Sequence, residues 1–81
     1  MDKIAIIGIF IRDMSKVSLV NDLLHEYAGY IVGRLGIPYR DKSINIISVI
    51  VCAPADTIST LSGKLGNIRG VTAKAMQTAA D

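Results

Sequence analysis

Ile44-Asn45-Ile46-Ile47-Ser48-Val49-Ile50-Val51-Cys52 is an almost wholly apolar run. It is short, rich in β-branched residues and bounded by turn-forming residues, which predicts a buried strand. Successive strand residues point to opposite faces. Ile44, Ile46, Ile50 and Cys52 therefore share one side, and Ile47, Val49 and Val51 the other. Only Asn45 and Ser48 interrupt, so both sides of this strand are apolar.

Upstream, Gly36-Ile37-Pro38-Tyr39-Arg40-Asp41-Lys42 reads as a polar connection. Pro38 cannot donate to a ladder, so a turn or sheet edge is expected there. Before it, Tyr30 to Leu35 reads as a strand interrupted by Gly33, a sign of a bulge or close backbone approach. Downstream, Pro54-Ala55-Asp56 opens a helix, with proline in the first turn and an early acid facing the helix dipole. Ile58, Leu61 and Leu65 form its buried stripe, and Gly66 closes it. Asn67 to Gly70 turns the chain into a last strand, Val71 to Met76, where Val71, Ala73 and Ala75 alternate with Thr72 and Lys74. Gln77 to Asp81 is expected to be a loose tail.

At the amino end, Ile4-Ala5-Ile6-Ile7-Gly8-Ile9-Phe10-Ile11 repeats the two-sided apolar pattern. Ile4, Ile6 and Phe10 oppose Ala5, Ile7, Ile9 and Ile11. Ser15 is the expected N-cap of the helix that follows. Val17, Val20, Leu23, Leu24 and Tyr27 recur at helical spacing, and Gly29 is expected to end the helix in a left-handed conformation. The order is βαββαβ, an α+β ferredoxin-like arrangement with an antiparallel four-stranded sheet and two helices on one face.

The 81 residues suit a single domain, 1–81. A chain this short buries only about 60% of its unfolded surface and commonly needs a staple. One cysteine, Cys52, excludes an internal disulfide, leaving partner subunits as the natural support. The same conclusion follows from the sheet. With both helices on one face, the other should alternate apolar and polar residues if it met water. The two central strands do not, so Ile4, Ile6, Ile44, Ile46 and Ile50 are the expected interface of a homo-oligomer, a dimer or tetramer. The chain is expected to be complete from Met1.

Lys3 and the run after it could imitate a signal peptide, but no small-x-small site follows and Arg12-Asp13 ends the run. It is also too short to span a bilayer. With a free thiol and no export signal, a cytoplasmic location is expected. The net charge of +2 is scattered, without the dense basic face of an autonomous DNA-binding domain. Direct nucleic-acid binding and membrane association are not expected.

Catalytic material is sparse. One histidine, His25, and one glutamate, Glu26, leave little acid–base chemistry, and no serine sits in a nucleophile motif. The expectation is a non-enzyme. His25 and Cys52 are too few ligands for a zinc or nickel site, so no metal or cofactor is expected. Gly63-Lys64-Leu65-Gly66 is not a phosphate loop, because Lys64 falls at a helix end rather than a helix start. Arg34 and Arg40, with Lys64, could gather around an anion, since arginine offers a planar fork to carboxylate or phosphate.

Arg34-Leu35-Gly36-Ile37-Pro38-Tyr39-Arg40 and Leu61-Ser62-Gly63-Lys64-Leu65-Gly66-Asn67-Ile68-Arg69-Gly70-Val71 resemble the small regulators of the iron-only hydrogenase system. The likeness extends over essentially the whole chain in length and element order. That family is similar to ACT-type domains and to the carboxy-terminal domain of the nickel-responsive repressor. The resemblance implies a ferredoxin-like fold, dimers or tetramers, and a regulatory role. The repressor's histidine-rich nickel site and amino-terminal DNA-binding arm have no counterpart among these residues. ACT-type domains bind amino acids or similar metabolites at subunit interfaces near the first strand–helix loop. The matching loop is Arg12-Asp13-Met14-Ser15, which lacks the usual glycine. The resemblance thus implies Arg12, Asp13 and Ser15 as ligand-binding, beside Arg34 and Arg40. Three functions follow as expectations: an ACT-like regulatory oligomer with a small effector or protein partner, a ligand-free scaffolding module, or a DNA-binding transcriptional regulator.

Overall fold

The computed structural model of the chain describes residues 1–80. Four strands and two helices follow the predicted order: β1 (Asp2–Ile11), α1 (Val17–Glu26), β2 (Ile31–Tyr39), β3 (Ile44–Pro54), α2 (Ala55–Gly66) and β4 (Val71–Ala79). The strands form one antiparallel sheet in the order β2-β3-β1-β4. The two apolar runs are its central pair, in the register Ile7↔Val49 and Gly8↔Ser48.

One side of that pair forms the core. Ala5, Ile7, Ile9 and Ile11 lie with Ile47, Val49, Val51 and Ala53 against Val20 and Leu24 of α1 and Ile58, Leu61 and Leu65 of α2. The α2 stripe is buried as its spacing predicts. Of the α1 stripe, Val20 and Leu24 are buried, while Val17, Leu23 and Tyr27 pack partly buried against the cluster.

Four local expectations are corrected. Ser15 is not the cap of α1. Met14–Lys16 form a single 3-10 turn whose cap is Asp13, and α1 begins after it with no side-chain cap. The ionised carboxylate is the stronger acceptor, so Ser15 becomes the donor. Gly29 does not take a left-handed conformation. The chain leaves α1 through a 3-10 turn over Ala28–Tyr30, with Tyr30 N–H donating to Tyr27 O at 2.9 Å. That turn satisfies carbonyls a left-handed glycine would otherwise serve.

Gly36–Tyr39 is strand rather than connection, because β2 lies at a sheet edge, where proline is tolerated. Gly33 does mark a bulge, with a register shift between Ile31 and Gly33. Finally, Gln77–Ala79 are not a tail but the end of β4, paired as far as Lys3↔Ala79 because β1 starts early enough to receive them. Asp81 lies outside the described residues. No helix among the described residues is long and apolar enough to cross a membrane.

Candidate functional site

The second side of the sheet carries no helix. Directly paired residues share a face, so the ladders define rows across it. Met76, Ile6, Ile50 and Gly33 form one row, and Thr72, Phe10, Ile46 and Ile37 another. Between them run Lys74, Gly8, Ser48 and Leu35. Ile6 is 42% exposed, Phe10 40%, Leu35 62% and Met76 69%. Ile4 is also exposed, and Ile46 and Ile50 are half-buried. Four of the five expected interface residues therefore lie on this open face. Ile44, the fifth, is 7% exposed and lines a hollow at the end of the sheet.

Leu35, Ile37 and Met76 were not among the predicted interface residues. For Leu35 and Ile37 a signal was present: they alternate with Tyr39 at strand spacing, but the pattern counts only if β2 continues past Gly36.

The hollow has a volume of about 330 Å³ and is lined by Met14, Pro38, Tyr39, Arg40, Ser43, Ile44 and Asn45. It brings the first loop, through Met14, against the β2–β3 turn. Ser43 closes that turn in the left-handed region, at φ 51°, with its N–H donating to Arg40 O. No local pattern announces this site, because Met14 and Arg40 meet only through tertiary packing.

The predicted ligand residues are only partly assembled. Asp13 Oδ1 accepts from Ser15 N–H at 3.0 Å and from Ser15 Oγ at 2.6 Å. The Ser15 hydroxyl, then its backbone N–H, hold the Asp13 carboxyl below its ordinary value, with Lys16 adding to the effect against a small opposing desolvation. Arg12 N–H donates to Gly70 O at 2.8 Å, anchoring the loop to the turn before β4. Arg34 donates to Asn21 Oδ1 at 2.7 Å, and its side chain lines a separate depression with Val17 and Asn21. Lys64 Nζ sits 5.5 Å from the Tyr27 ring centroid. Arg34, Arg40 and Lys64 thus occupy three settings rather than one anion cradle.

His25 is exposed on α1, and Cys52 is a half-buried free thiol on the open face of β3, its Sγ 4.0 Å from Asp2 Oδ2. Among the described residues, no three His, Cys, Asp or Glu side chains converge as a metal-binding group.

A four-stranded antiparallel sheet with two helices on one face, in the order βαββαβ, defines the class of ferredoxin-like α+β domains. The model of the family described as "TM1266-like: Iron-only hydrogenase system regulator, putative" matches residues 3–75, and the chain belongs to that family. Among solved structures it is similar to the uncharacterized protein TM1266 from Thermotoga maritima, at 37% identity and a TM-score of 0.90. The alignment covers 95% of this chain and 98% of that one. No curated protein matches the chain.

Proposed function

We propose that this chain is a self-associating ACT-like regulatory domain, a single unit over its length, whose copies join through the open face of the sheet. It acts in the iron-only hydrogenase system by binding a small effector or a protein partner near that interface. The observation that carries this reading is the apolar open face. Ile4, Ile6, Phe10, Leu35, Ile37 and Met76 stand exposed together, beyond the scattered single residues of an ordinary surface. The hollow supports the effector, because its lining combines the apolar Met14, Pro38 and Ile44 with Arg40. A cytoplasmic location is supported by the lone free thiol.

Ligand-free scaffolding is the competing reading. It is favoured by the way Asp13, Ser15 and Arg34 already satisfy one another or Asn21. Light scattering after size exclusion tests association: the chain is expected at a multiple of 8.7 kDa. Ile6→Asp should return it to one copy with its circular dichroism intact, because a charge forced into an apolar interface is strongly unfavourable. A wild-type chain that stays single at high concentration defeats the proposal. A thermal-shift series over amino acids, nucleotides and divalent metals then separates effector from scaffold. A ligand at about 100 times its Kd stabilises the native state by about 2.7 kcal/mol.

A further inference from the structure

Neither a positive φ nor a close contact within its own chain requires Gly8 to be glycine. It lies mid-strand in β1, where glycine weakens a strand and gives no side chain to pack. Its φ is not positive, and a Cβ built on it would meet nothing within 4 Å. Its cross-strand neighbour on β3 is Ser48, the smallest residue β3 presents to the open face. Together they form the floor of a trough across the middle of the sheet. Ile6 and Ile50 stand on one side of it, and Phe10 and Ile46 on the other. A central-strand glycine with free space above it marks a place where something from outside comes close.

We propose that two copies pack face to face about a two-fold axis that crosses the strands between the Ile6 and Gly8 rows. Ile6 and Ile50 of each copy then seat on Gly8 and Ser48 of the other. This inference rests on self-association through the open face and specifies its register. The axis exchanges the two rows, so every contact occurs twice, as an isologous interface requires. Leu35, at one end of the trough, falls opposite the partner's Gly33. Met76 falls opposite the partner's Lys74, whose aliphatic stem can cover it. Phe10 meets the partner's Ile4, and Ile46 meets the partner's Cys52.

Along β1 and β3 bulky residues thus meet small or apolar ones, as sheets about 10 Å apart demand of interdigitating side chains. The flat area of the face is of the same order as an ordinary interface. Four strands about 4.8 Å apart, each of some ten residues at about 3.3 Å, give a footprint of roughly 600 Å² before side-chain relief is counted. An ordinary stable interface takes about 800 Å² per partner.

Ile46→Cys tests the register with the native Cys52 as its mate. Within one chain the two positions lie roughly 20 Å apart on β3 and cannot be bridged. Across the proposed axis they face each other. A short-armed bis-maleimide should link Ile46→Cys into a covalent dimer. It should leave the wild type and the Ile46→Cys/Cys52→Ser pair uncrosslinked. Gly8→Val, which adds bulk only where the partner sits, should raise the dimer dissociation constant about 100-fold while leaving the circular dichroism unchanged.

A dimer that resists crosslinking and tolerates Gly8→Val within about threefold overturns this register and leaves self-association standing. A wild-type chain that is single by light scattering removes both.

Discussion

Gly70→Ala should be among the most damaging single-methyl changes in this chain. Gly70 has φ 82°, and a Cβ there would lie 2.7 Å from Asp13 Cβ and 3.4 Å from Asp13 N. Two penalties combine. An L-residue in the left-handed region costs about 1–2 kcal/mol. Forcing a methyl into occupied space costs about 1–3 kcal/mol more. The second falls on the first loop, because Asp13 also caps the turn into α1 and Arg12 donates to Gly70 O. The total of about 2–5 kcal/mol is a large share of the 5–15 kcal/mol typical of whole domains.

For a domain of this size each kcal/mol moves Tm by about 4–8 °C, so Gly70→Ala should melt at least about 8 °C below the wild type. Circular dichroism melts at one fixed protein concentration measure this, since association would make Tm concentration-dependent. The two penalties separate in a double-mutant cycle. In an Asp13→Gly background the clash partner is gone, so the added effect of Gly70→Ala should shrink towards the backbone share alone. A Gly70→Ala protein melting within about 3 °C of the wild type would mean that neither penalty operates at this turn.

Two further substitutions probe the cap and the core. Asp13 has its carboxyl held below its ordinary value of 3.8, chiefly by the Ser15 hydroxyl. A carboxyl depressed in the folded state contributes stability above its unfolded pKa and loses it as pH falls through the folded one. Asp13→Asn should therefore differ most from the wild type in urea midpoint at neutral pH, and the gap should close below about pH 4; a gap independent of pH speaks against the charge. Leu61, fully buried between α2 and the sheet, should lose about 2–5 kcal/mol on truncation to alanine, read as a fall in urea midpoint at unchanged slope. A loss under about 1 kcal/mol would mean the α2 stripe is not packed as described.

What could be read ahead of the structure follows from the range of the interactions involved. β1, β3 and α2 were legible because each carries its own periodicity in consecutive residues. The start of α1 was not, since Asp13 and Ser15 are both capping residues and only geometry decides which accepts. The end of β2 was hidden by Pro38, whose meaning depends on whether the strand is central or at an edge. The open face was legible in its centre, from Ile4, Ile6, Ile46 and Ile50, and at its β2 margin only once that strand is known to run past Gly36, where Leu35 and Ile37 extend it. The hollow was illegible altogether, because it joins the first loop to a turn some thirty residues away.

The two-sided strands raise a question of register that the same residues answer. Where one face is polar, a slip of one residue exposes the core set and is forbidden by the hydrophobic effect. In β1 a slip would exchange Ile7 and Ile9 for Ile6, Gly8 and Phe10, which are nearly as apolar. Hydropathy alone therefore discriminates weakly here. Size and polarity do the rest. Gly8 and Ser48 are cross-strand partners, so the same slip on both strands would carry them together under α1 and α2. The core would receive a void where Ile7 and Val49 now pack, together with a hydroxyl needing a partner. Replacing a buried large aliphatic by a small residue costs about 2–5 kcal/mol, and an unsatisfied buried hydroxyl about 1–3 kcal/mol. That sum rivals the stability of a small domain. The glycine and serine that leave a trough on the outer face thus also hold the inner face in place. A substitution such as Gly8→Val therefore tests association and weakens one determinant of strand register, and an unchanged circular dichroism signal is what shows that only the first has moved.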